Sequence, residues 1–295
     1  MENNTKQVKS RRDAYRIKEI DPFHSIVPYV MPKRTEAEIF THETIDITNL
    51  LERLRIENEK NAGELKLFHA ICTATAKTLY NRPLLNSFVS GRRFWQRSEI
   101  LLSFVAKKKF EDHAEEGLMT LSVEPEHTIN DISQKIIGDV QKVRKEGSND
   151  LDGLMSFLGK LPRFILTFVF FVVKRLEYHG IMPKALTDGD PNYTSVLLAN
   201  LGSIKCGAPY HHLSNYGTNS VMMTIGVIHK ELVLNDEGEQ VMRDMVDIGI
   251  TLDERIADGF YFAKSIKLLR YLLENPEMLF EKISEPIGEE AAALL

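Results

Sequence analysis

Cysteine is scarce in this chain of 295 residues, which carries only Cys72 and Cys206. Two such widely separated cysteines exclude a disulfide framework and a C-x-x-C zinc or redox site. The nine histidines include no H-x-x-x-H or H-E-x-x-H pair, so we expect no metal. The low cysteine content is typical of a reducing compartment, and we expect a cytoplasmic protein.

A surplus of basic charge is also lacking. Lys and Arg number 37 against 42 Asp and Glu, which gives a net charge of −5. A general nucleic-acid binder needs excess cations to neutralise phosphates. We therefore expect no nucleic-acid partner.

No uncharged run is long enough to span a membrane. The most apolar stretch is FILTFVFFVV at 164–173. A spanning helix needs about 20 such residues, twice that length. Residues 1–13 are polar and of mixed charge, with no secretion signal. The sequence predicts no transmembrane span.

Hydrophobic patterns instead predict a mixture of strands and helices. Strands are predicted at 38–46, 92–106, 117–123, 193–202, 221–228 and 244–252, with a hairpin at 231–243. Helices are predicted at 46–59, 65–80, 128–145, 154–178 and 260–274. Residues 21–34 contain three prolines and predict extended, irregular chain. Such a mixture indicates an α+β or mixed α/β fold.

Three short motifs follow one another in the C-terminal part of the chain. They are N-L-G at 200–202, I-G-V at 225–227 and D-E-R-I-A-D-G at 253–259. The three resemble the S-N-L-G segment, the A-V-G strand and the D-H-R-V-x-D-G signature of one family. That family is the catalytic domain of the dihydrolipoyl acyltransferases of 2-oxo acid dehydrogenase complexes.

Weaker matches at 65–86 and 117–124 extend the resemblance over about residues 38–283. The resemblance implies a chloramphenicol acetyltransferase-like fold, a mixed sheet with flanking helices, and a homotrimer with active sites between subunits. It also implies coenzyme A or acyl-CoA as a substrate, without saying which residues bind it. No lipoyl domain or swinging linker is recognisable, so we expect a freestanding member. We expect residues 1–37 to form a polar arm and extended segment, and 284–295 a tail.

Two positions depart from the family pattern. Glu254 stands where the resemblance places a general-base histidine, and Ala199, before Asn200, where it places the oxyanion-binding hydroxyl. A solvated glutamate is a far weaker base than histidine. Alanine donates no hydrogen bond, and losing one oxyanion donor typically costs about 10²–10³ in rate. Asp258 and Gly259 of the motif are retained.

The remaining candidate residues each have two interpretations. Glu254 is either an altered acid/base group or a vestigial residue, solvated or paired with Arg255 or another arginine. His211 and His212 follow the N-L-G motif in a loop, as replacement bases or as packed loop histidines. Asp258 is a further catalytic candidate, although the resemblance implies a mainly structural role.

An apolar helical insertion at 154–186 is longer than the family's connector. One interpretation is a helix buried against the sheet or within the trimer, which we favour because helices that are apolar all round are usually buried. The other is a dock for a protein or lipid partner.

Two functions remain open from the sequence. The first is a CoA-dependent acyltransferase-family protein with a remodelled site. The second is a catalytically inactive pseudoenzyme, a scaffold that acts through oligomerisation or higher-order assembly. The retained motifs predict the fold and do not decide between these functions.

Overall fold

The computed structural model describes residues 11–61, 63–107, 116–146, 153, 158–235 and 237–295. Its strands are β1 (Ala14–Arg16), β2 (Glu38–Asp46), β3 (Ser87–Ser90), β4 (Arg93–Arg97), β5 (Ile100–Lys107), β6 (Glu116–Val123), β7 (Val196–Asn200), β8 (Val221–Ile225), β9 (His229–Leu234) and β10 (Gln240–Asp253). Its helices are α1 (Pro22–Val30), α2 (Thr48–Asn61), α3 (Leu67–Asn81), α4 (Ile129–Glu146), α5 (Arg163–His179), α6 (Gly259–Glu274) and α7 (Glu289–Ala293).

A mixed sheet forms the centre of the fold. Within the described ranges it has seven strands in the order β2-β10-β8-β7-β5-β6, with β9 pairing with β10. The pairs β5–β7 and β7–β8 are parallel, and the others are antiparallel. The predicted strands and the hairpin are therefore present, as is the predicted mixed α/β fold with flanking helices.

One face of this sheet carries the main hydrophobic core. Side chains alternate along a strand, so Val246, Ile248 and Ile250 of β10 all point to that face and are buried. Helices α2, α3, α4 and α6 cover it. The apolar residues whose spacing of about 3.6 predicted these helices are the ones that pack on the sheet.

The loop at 205–217 crosses the opposite face. Thr224 Oγ1 donates a hydrogen bond of 2.5 Å to the carbonyl oxygen of Pro209. A Cβ placed on Gly249 would lie 3.0 Å from the carbonyl oxygen of Ala208, which leaves no room for a larger residue. The loop that carries His211 and His212 is thus held against β8 and β10.

A three-stranded sheet, β1-β4-β3, packs beside the main one. The Arg11 guanidinium lies over the rings of Phe88, at 5.0 Å, and Trp95, at 5.3 Å. Ala14 in β1 is fully buried. The part of the expected N-terminal arm from residue 11 to 16 is therefore packed structure, while residues 1–10 lie outside the described residues.

Helix α1 shows that the expectation of irregular chain at 21–34 was wrong. The Asp21 carboxylate accepts hydrogen bonds from the backbone N–H groups of Phe23, at 2.9 Å, and His24, at 3.1 Å. Pro22 takes the first helical position, where a missing N–H costs nothing. The Asp-Pro pair is a helix start signal, because a proline in the first turn does not break a helix.

Helix α5 begins immediately after Pro162 and is not buried in the single chain. None of its residues is fully buried, and Phe164 remains 74% exposed. Its contacts with the body of the protein come from one side, through Phe170 and Glu177, so apolar residues on its other side face outward. Residues 154–157 of the insertion lie outside the described residues. Across the described ranges, no helix combines the length and apolar character needed to cross a membrane.

The C-terminal residues 284–295 fold back onto the chain. Ala291 of α7 is fully buried, and Ile287 and Leu295 pack against the core. The Tyr271 hydroxyl on α6 donates a hydrogen bond of 2.8 Å to the Glu290 carboxylate. The separate tail thus contributes side chains to the main core.

Candidate active site

Glu254 begins a one-turn 3-10 helix, Glu254–Ile256, directly after strand β10. The fully buried carboxylate of Asp253 caps this turn. It accepts a hydrogen bond of 3.2 Å from the Arg255 backbone N–H and two of 2.7 Å from the Arg255 guanidinium. The turn that presents Glu254 is therefore fixed by an internal, charge-assisted contact.

Two buried arginines tie this turn to other segments. Arg255 Nη1 donates to the carbonyl oxygens of Met31, at 3.2 Å, and Pro32, at 3.3 Å. Arg34 Nε lies 3.6 Å from the Asp253 carboxylate. Burial lowers the pKa of the Arg34 guanidinium, and the charge of Asp253 opposes that shift. One carboxylate thus holds two guanidinium groups at the end of β10.

The loop at 205–217 is joined to the same network. Arg34 donates to the carbonyl oxygen of Ser214 and, at 2.9 Å, to that of Gly217. The histidine loop and the Glu254 turn are therefore anchored by one side chain, although they are distant in sequence.

The side chain of Glu254 takes no part in these ion pairs and hydrogen bonds among the described residues. Its backbone N–H donates to the Ala37 carbonyl oxygen at 2.8 Å. No hydrogen bond or ion pair joins its half-buried carboxylate to any residue in the described part of the chain. Arg255 is committed to Asp253, so the expected pairing of Glu254 with Arg255 does not occur. The carboxylate is available to a ligand.

His212 is paired with a buried glutamate. Its Nδ1 lies 3.0 Å from Glu38 Oε2. The Glu38 side chain is only 5% exposed, whereas that of His212 is 80% exposed. Glu38 also accepts a hydrogen bond from the Leu213 N–H. A carboxylate can only accept at Nδ1–H, so this contact leaves Nε2 of a neutral His212 unprotonated and facing solvent.

His211 has no such partner. Its Nδ1 lies 2.9 Å from the His212 carbonyl oxygen, and the residue is exposed. Phe40 of β2 contacts the rings of Tyr210, at 5.5 Å, and His212, at 6.2 Å. The aromatic contacts orient the loop around His212, while His211 points away from a carboxylate.

The strand register places Glu254 and His212 at the same corner of the sheet. Glu38, the partner of His212, pairs with Asp253, the residue before Glu254. The structure thus brings together two of the predicted catalytic residues that are separated in sequence.

Asp258 has a local role in the chain. Its carboxylate caps helix α6 by accepting a hydrogen bond of 2.7 Å from the Tyr261 N–H. It is exposed and makes no contact with Glu254 or the histidine loop among the hydrogen bonds of the described residues. Its predicted catalytic role remains a prediction.

Ala199, which stands where the resemblance implies an oxyanion-binding hydroxyl, lies elsewhere on the sheet. Ala199 pairs with Thr224, which in turn pairs with Gly249, five residues before Glu254. With strands about 4.8 Å apart and a rise of about 3.3 Å per residue, Ala199 and Glu254 are about 20 Å apart. The neighbouring Thr224 hydroxyl already donates to Pro209, so it does not replace the missing donor. Asn200 ends strand β7 beside Ala199.

Another histidine–carboxylate pair on β2 involves His42, which is not among the candidate residues of the sequence. His42 Nε2 lies 3.3 Å from the Asp247 carboxylate, and the Thr44 hydroxyl donates to the same oxygen at 2.7 Å. The His42 ring also meets the edge of Tyr210 at 6.3 Å. The alternation of Glu38, His42 and Thr44 on one face of β2 is the signal that could have indicated it.

The described residues include no group of three or more His, Cys, Asp or Glu side chains that could hold a metal ion. The arrangement therefore offers acid/base groups in pairs: Glu38 with His212, and Asp247 with His42. Such pairs can take up and release a proton without a cofactor.

Comparison with known proteins bears out the resemblance. Residues 186–281 match the family model of the 2-oxoacid dehydrogenases acyltransferase (catalytic domain). This segment of the chain is similar to the catalytic domain of the 2-oxo acid dehydrogenase acyltransferases. The matched residues contain all three C-terminal motifs.

Similarity to an acyltransferase extends beyond this segment. The chain is 22% identical over 254 residues to the lipoamide acyltransferase component of the branched-chain alpha-keto acid dehydrogenase complex of Bacillus subtilis (strain 168). The alignment covers 82% of this chain and 49% of that protein, so the chain spans about half of the relative's length.

Solved structures show the fold. The cubic core of the pyruvate dehydrogenase multienzyme complex matches with a TM-score of 0.59 and 14% identity, over 90% of this chain and 94% of that one. Chloramphenicol acetyltransferase matches with a TM-score of 0.50 and 10% identity, over 89% and 98%. The predicted chloramphenicol acetyltransferase-like fold is confirmed.

Proposed function

We propose that this acyltransferase-like protein transfers an acyl group from coenzyme A, with His212 replacing the family's histidine as the base. The observation that carries the proposal is the contact between His212 Nδ1 and the buried Glu38 carboxylate, at 3.0 Å. A base held by a third group is the arrangement that acyl-transfer sites use. Here the holding group is buried, and the outward nitrogen is free to act.

The proposed acyl transfer has two steps, the attack of the acceptor and the expulsion of CoA. Nε2 of His212 takes the proton from the thiol or hydroxyl of an acceptor, and the acceptor attacks the carbonyl carbon of acyl-CoA. The tetrahedral intermediate then expels the CoA thiolate, which recovers the proton from the imidazolium. The Glu38 carboxylate holds the imidazole through Nδ1 in both steps.

Glu254 is the second acid/base candidate at the same corner of the sheet. Its half-buried carboxylate is not engaged by any described residue, so a substrate can reach it. We propose that the Glu254 carboxylate accepts a hydrogen bond from the thiol or hydroxyl of the molecule that receives the acyl group. Glu254 would do so from the position that holds the histidine in the family.

The oxyanion donor must be different from the family's hydroxyl. The side chain of Ala199 has no hydrogen-bond donor. We propose that the Asn200 side-chain amide donates to the oxyanion instead, because asparagine amides serve as oxyanion donors elsewhere. Asn200 pairs with Ile225, which is aligned through Ile248 with Glu43, five residues beyond Glu38. Asn200 therefore lies about 20 Å from the His212–Glu38 pair of the same chain.

That separation supports a site built from two subunits. Reacting groups act on one carbonyl only when they are about 3 Å from the reacting atoms. His212 and Asn200 of one chain are too far apart to reach the same carbonyl group. His212 of one chain and Asn200 of a neighbouring chain can both reach it. We propose a homotrimer in which neighbouring chains supply the two halves of each site.

The first test is the binding of CoA and acetyl-CoA by calorimetry. Micromolar affinity would support a preserved acyl-CoA site. An absence of binding at millimolar ligand would contradict the proposal.

The second test is transfer from acetyl-CoA to dihydrolipoamide, followed by chromatography of the thioester product. His212→Gln should lower the rate by about 10² or more, while His211→Gln, its matched neighbour, should leave it within a few-fold. A His212→Gln protein with full activity would remove His212 from the mechanism. Loss of activity only in Glu254→Gln would assign the base to Glu254.

The alternative function is an inactive scaffold or assembly protein. The joint absence of the histidine at Glu254 and the hydroxyl at Ala199 favours it, because each loss alone is costly to acyl transfer. This function requires an oligomer that forms normally, no binding of acyl-CoA and no turnover with any acyl donor.

A further inference from the structure

Helix α5 carries a row of exposed phenylalanines that we call the aromatic ridge. It consists of Phe164, Phe168 and Phe171, whose exposed fractions are 74%, 65% and 62%. Their spacing of four and three residues puts them on one side of the helix. Large apolar side chains exposed in a continuous row indicate a surface that binds something.

The orientation of α5 is fixed by its opposite side. The Glu177 carboxylate accepts hydrogen bonds from the Gly217 N–H, at 3.1 Å, and the Tyr193 hydroxyl, at 3.2 Å. The Ser90 hydroxyl donates to the Glu177 carbonyl oxygen at 2.9 Å. The Phe170 ring meets Tyr216 at 6.2 Å. The helix cannot turn its ridge inward without breaking these contacts.

Exposed cations flank the ridge at both ends. Lys160 and Arg163 precede it, and Lys174 and Arg175 follow it. Lys160, Arg163 and Lys174 form no ion pair with a described residue, and Arg175 lies over the Tyr178 ring at 5.9 Å. The one acidic residue within α5, Glu177, is turned toward the body of the protein. The outward side of α5 is therefore apolar in the middle and positive at its ends.

Helix α1 also has exposed apolar side chains, and one turn of the chain contacts both α1 and α5. The turn at Gly91 and Arg92 touches both helices: Gly91 packs against the Tyr178 carbonyl, and the Arg92 guanidinium lies 4.8 Å from the Tyr29 ring centre. Exposed apolar residues of α1 are Phe23, Ile26, Tyr29 and Val30. A second helix thus adds exposed apolar side chains next to the first.

We propose that α5 lies in the surface of an anionic phospholipid bilayer, with the aromatic ridge in the acyl-chain boundary and the flanking cations on lipid phosphates. Lys and Arg side chains can extend from an apolar helix toward headgroups while their methylene stems stay in apolar surroundings. The proposal does not depend on the proposed acyl transfer.

A bilayer fits these features better than other occupants. The helix has 17 residues. At about 1.5 Å per residue that is about 25 Å, less than the hydrocarbon core, so a helix held by Glu177 lies on the membrane and does not cross it. Two copies of this surface facing each other would bring Lys160, Arg163, Lys174 and Arg175 against like charges. Anionic headgroups provide the opposite charge at both ends of an apolar row.

The test is flotation of the full chain with vesicles of phosphatidylcholine and phosphatidylglycerol at 7:3, and with phosphatidylcholine alone. We expect binding to the anionic vesicles that falls at least about tenfold without phosphatidylglycerol or in 0.5 M NaCl. Failure of the wild-type chain to float with anionic vesicles would overturn the proposal.

Two variants locate the contact. Phe164→Ser/Phe168→Ser/Phe171→Ser and Arg163→Glu/Lys174→Glu/Arg175→Glu should each lower vesicle binding at least about tenfold. The matched control is Phe260→Ser, which changes a phenylalanine that is 72% exposed on α6. All changed side chains are exposed, and circular dichroism checks that each variant is folded.

The results separate a bilayer from a protein occupant. Full vesicle binding by the triple serine variant would overturn the proposal. So would a wild-type oligomer, measured by mass photometry, that dissociates in the triple serine variant without any vesicle binding, because a second copy would then cover the ridge. Loss of vesicle binding with an unchanged oligomeric state would support the bilayer.

Discussion

Glu38 Oε2 lies 3.0 Å from Nδ1 of His212, a residue 174 positions further along the chain. The contact joins strand β2 to the loop at 205–217 and puts a buried carboxylate behind an exposed imidazole. It also puts His212 beside the Glu254 turn, because Glu38 pairs with Asp253. His212 and Glu254, two of the candidate catalytic residues, are therefore held on neighbouring segments of the fold.

We predict that Glu38→Gln lowers acyl transfer by about tenfold or more. The amide has one acceptor oxygen in place of the two that hold His212 Nδ1 and the Leu213 N–H, so the imidazole is less well oriented. The measure is kcat/KM for acetyl transfer to dihydrolipoamide. The control is Glu231→Gln, which changes the carboxylate that lies 3.0 Å from His229 Nε2 on the exposed strand β9. Equal losses in both variants would show that the Glu38 contact has no special part in the reaction.

We predict that His69 makes the protein less stable in acid. Burial lowers the pKa of this imidazole to about 4, and its Nδ1 lies 2.8 Å from the Ser133 hydroxyl. The pKa of His69 is lower in the folded state than its value of about 6.5 in the unfolded state. The contribution of neutral His69 to the free energy of unfolding is therefore complete above pH 6.5 and is lost as the pH falls toward 4. Over that range the loss approaches about 3 kcal/mol as an upper bound.

Urea unfolding at pH 7 and at pH 4.5 measures this effect. His69→Gln, which does not titrate, should lose less stability between the two pH values than the wild type. His127→Gln is the control, because that histidine lies in a turn close to the surface. An identical loss in the wild type and in His69→Gln would exclude His69 as the acid-sensitive group.

We predict that Asp258 acts as a helix cap. Asp258→Ala should cost about 1 kcal/mol of unfolding free energy, because the first turn of α6 loses the acceptor for the Tyr261 N–H. Asp258→Ser keeps a capping oxygen and should recover most of that loss. If Asp258→Ser is stable but inactive, the carboxylate has a catalytic role that capping does not explain.

We predict that removal of residues 284–295 destabilises the fold of the single chain. The deletion takes Ala291, Ile287 and Leu295 from the core, and exposed core surface costs stability. Ala291→Asp should act in the same direction by burying an unpaired charge. Thermal unfolding and mass photometry together measure the result. A truncated chain with an unchanged melting temperature and a lost oligomer would instead make this segment an assembly contact.

Local sequence patterns predicted much of this structure, because they depend on residues that are neighbours along the chain. The helix at Ile129–Glu146 follows from its apolar period and from Asp131, whose carboxylate accepts from the Thr128 backbone and hydroxyl at 2.8 Å. The hairpin of β9 and β10 follows from its turn at 235–238. The D-E-R-I-A-D-G motif at 253–259 lies within the segment that matches the acyltransferase family.

Two errors had different origins. The start of α1 at Asp21 and Pro22 was encoded locally and was given too little weight. The exposure of α5 was not encoded locally, because an apolar helix is buried only where the rest of the molecule provides a surface to cover it. The sheet provides that surface for one side of α5.

The sequence by itself determined most of the elements and the resemblance that predicted the fold. It also placed Glu254 and Ala199 where that resemblance implies a histidine and a hydroxyl. Only the tertiary structure decided what surrounds them. It paired Glu38 with His212 and His42 with Asp247, and it left the Glu254 carboxylate without a partner among the described residues. The physical reason is that strand register and loop packing join residues far apart in the chain, and no local pattern specifies those contacts.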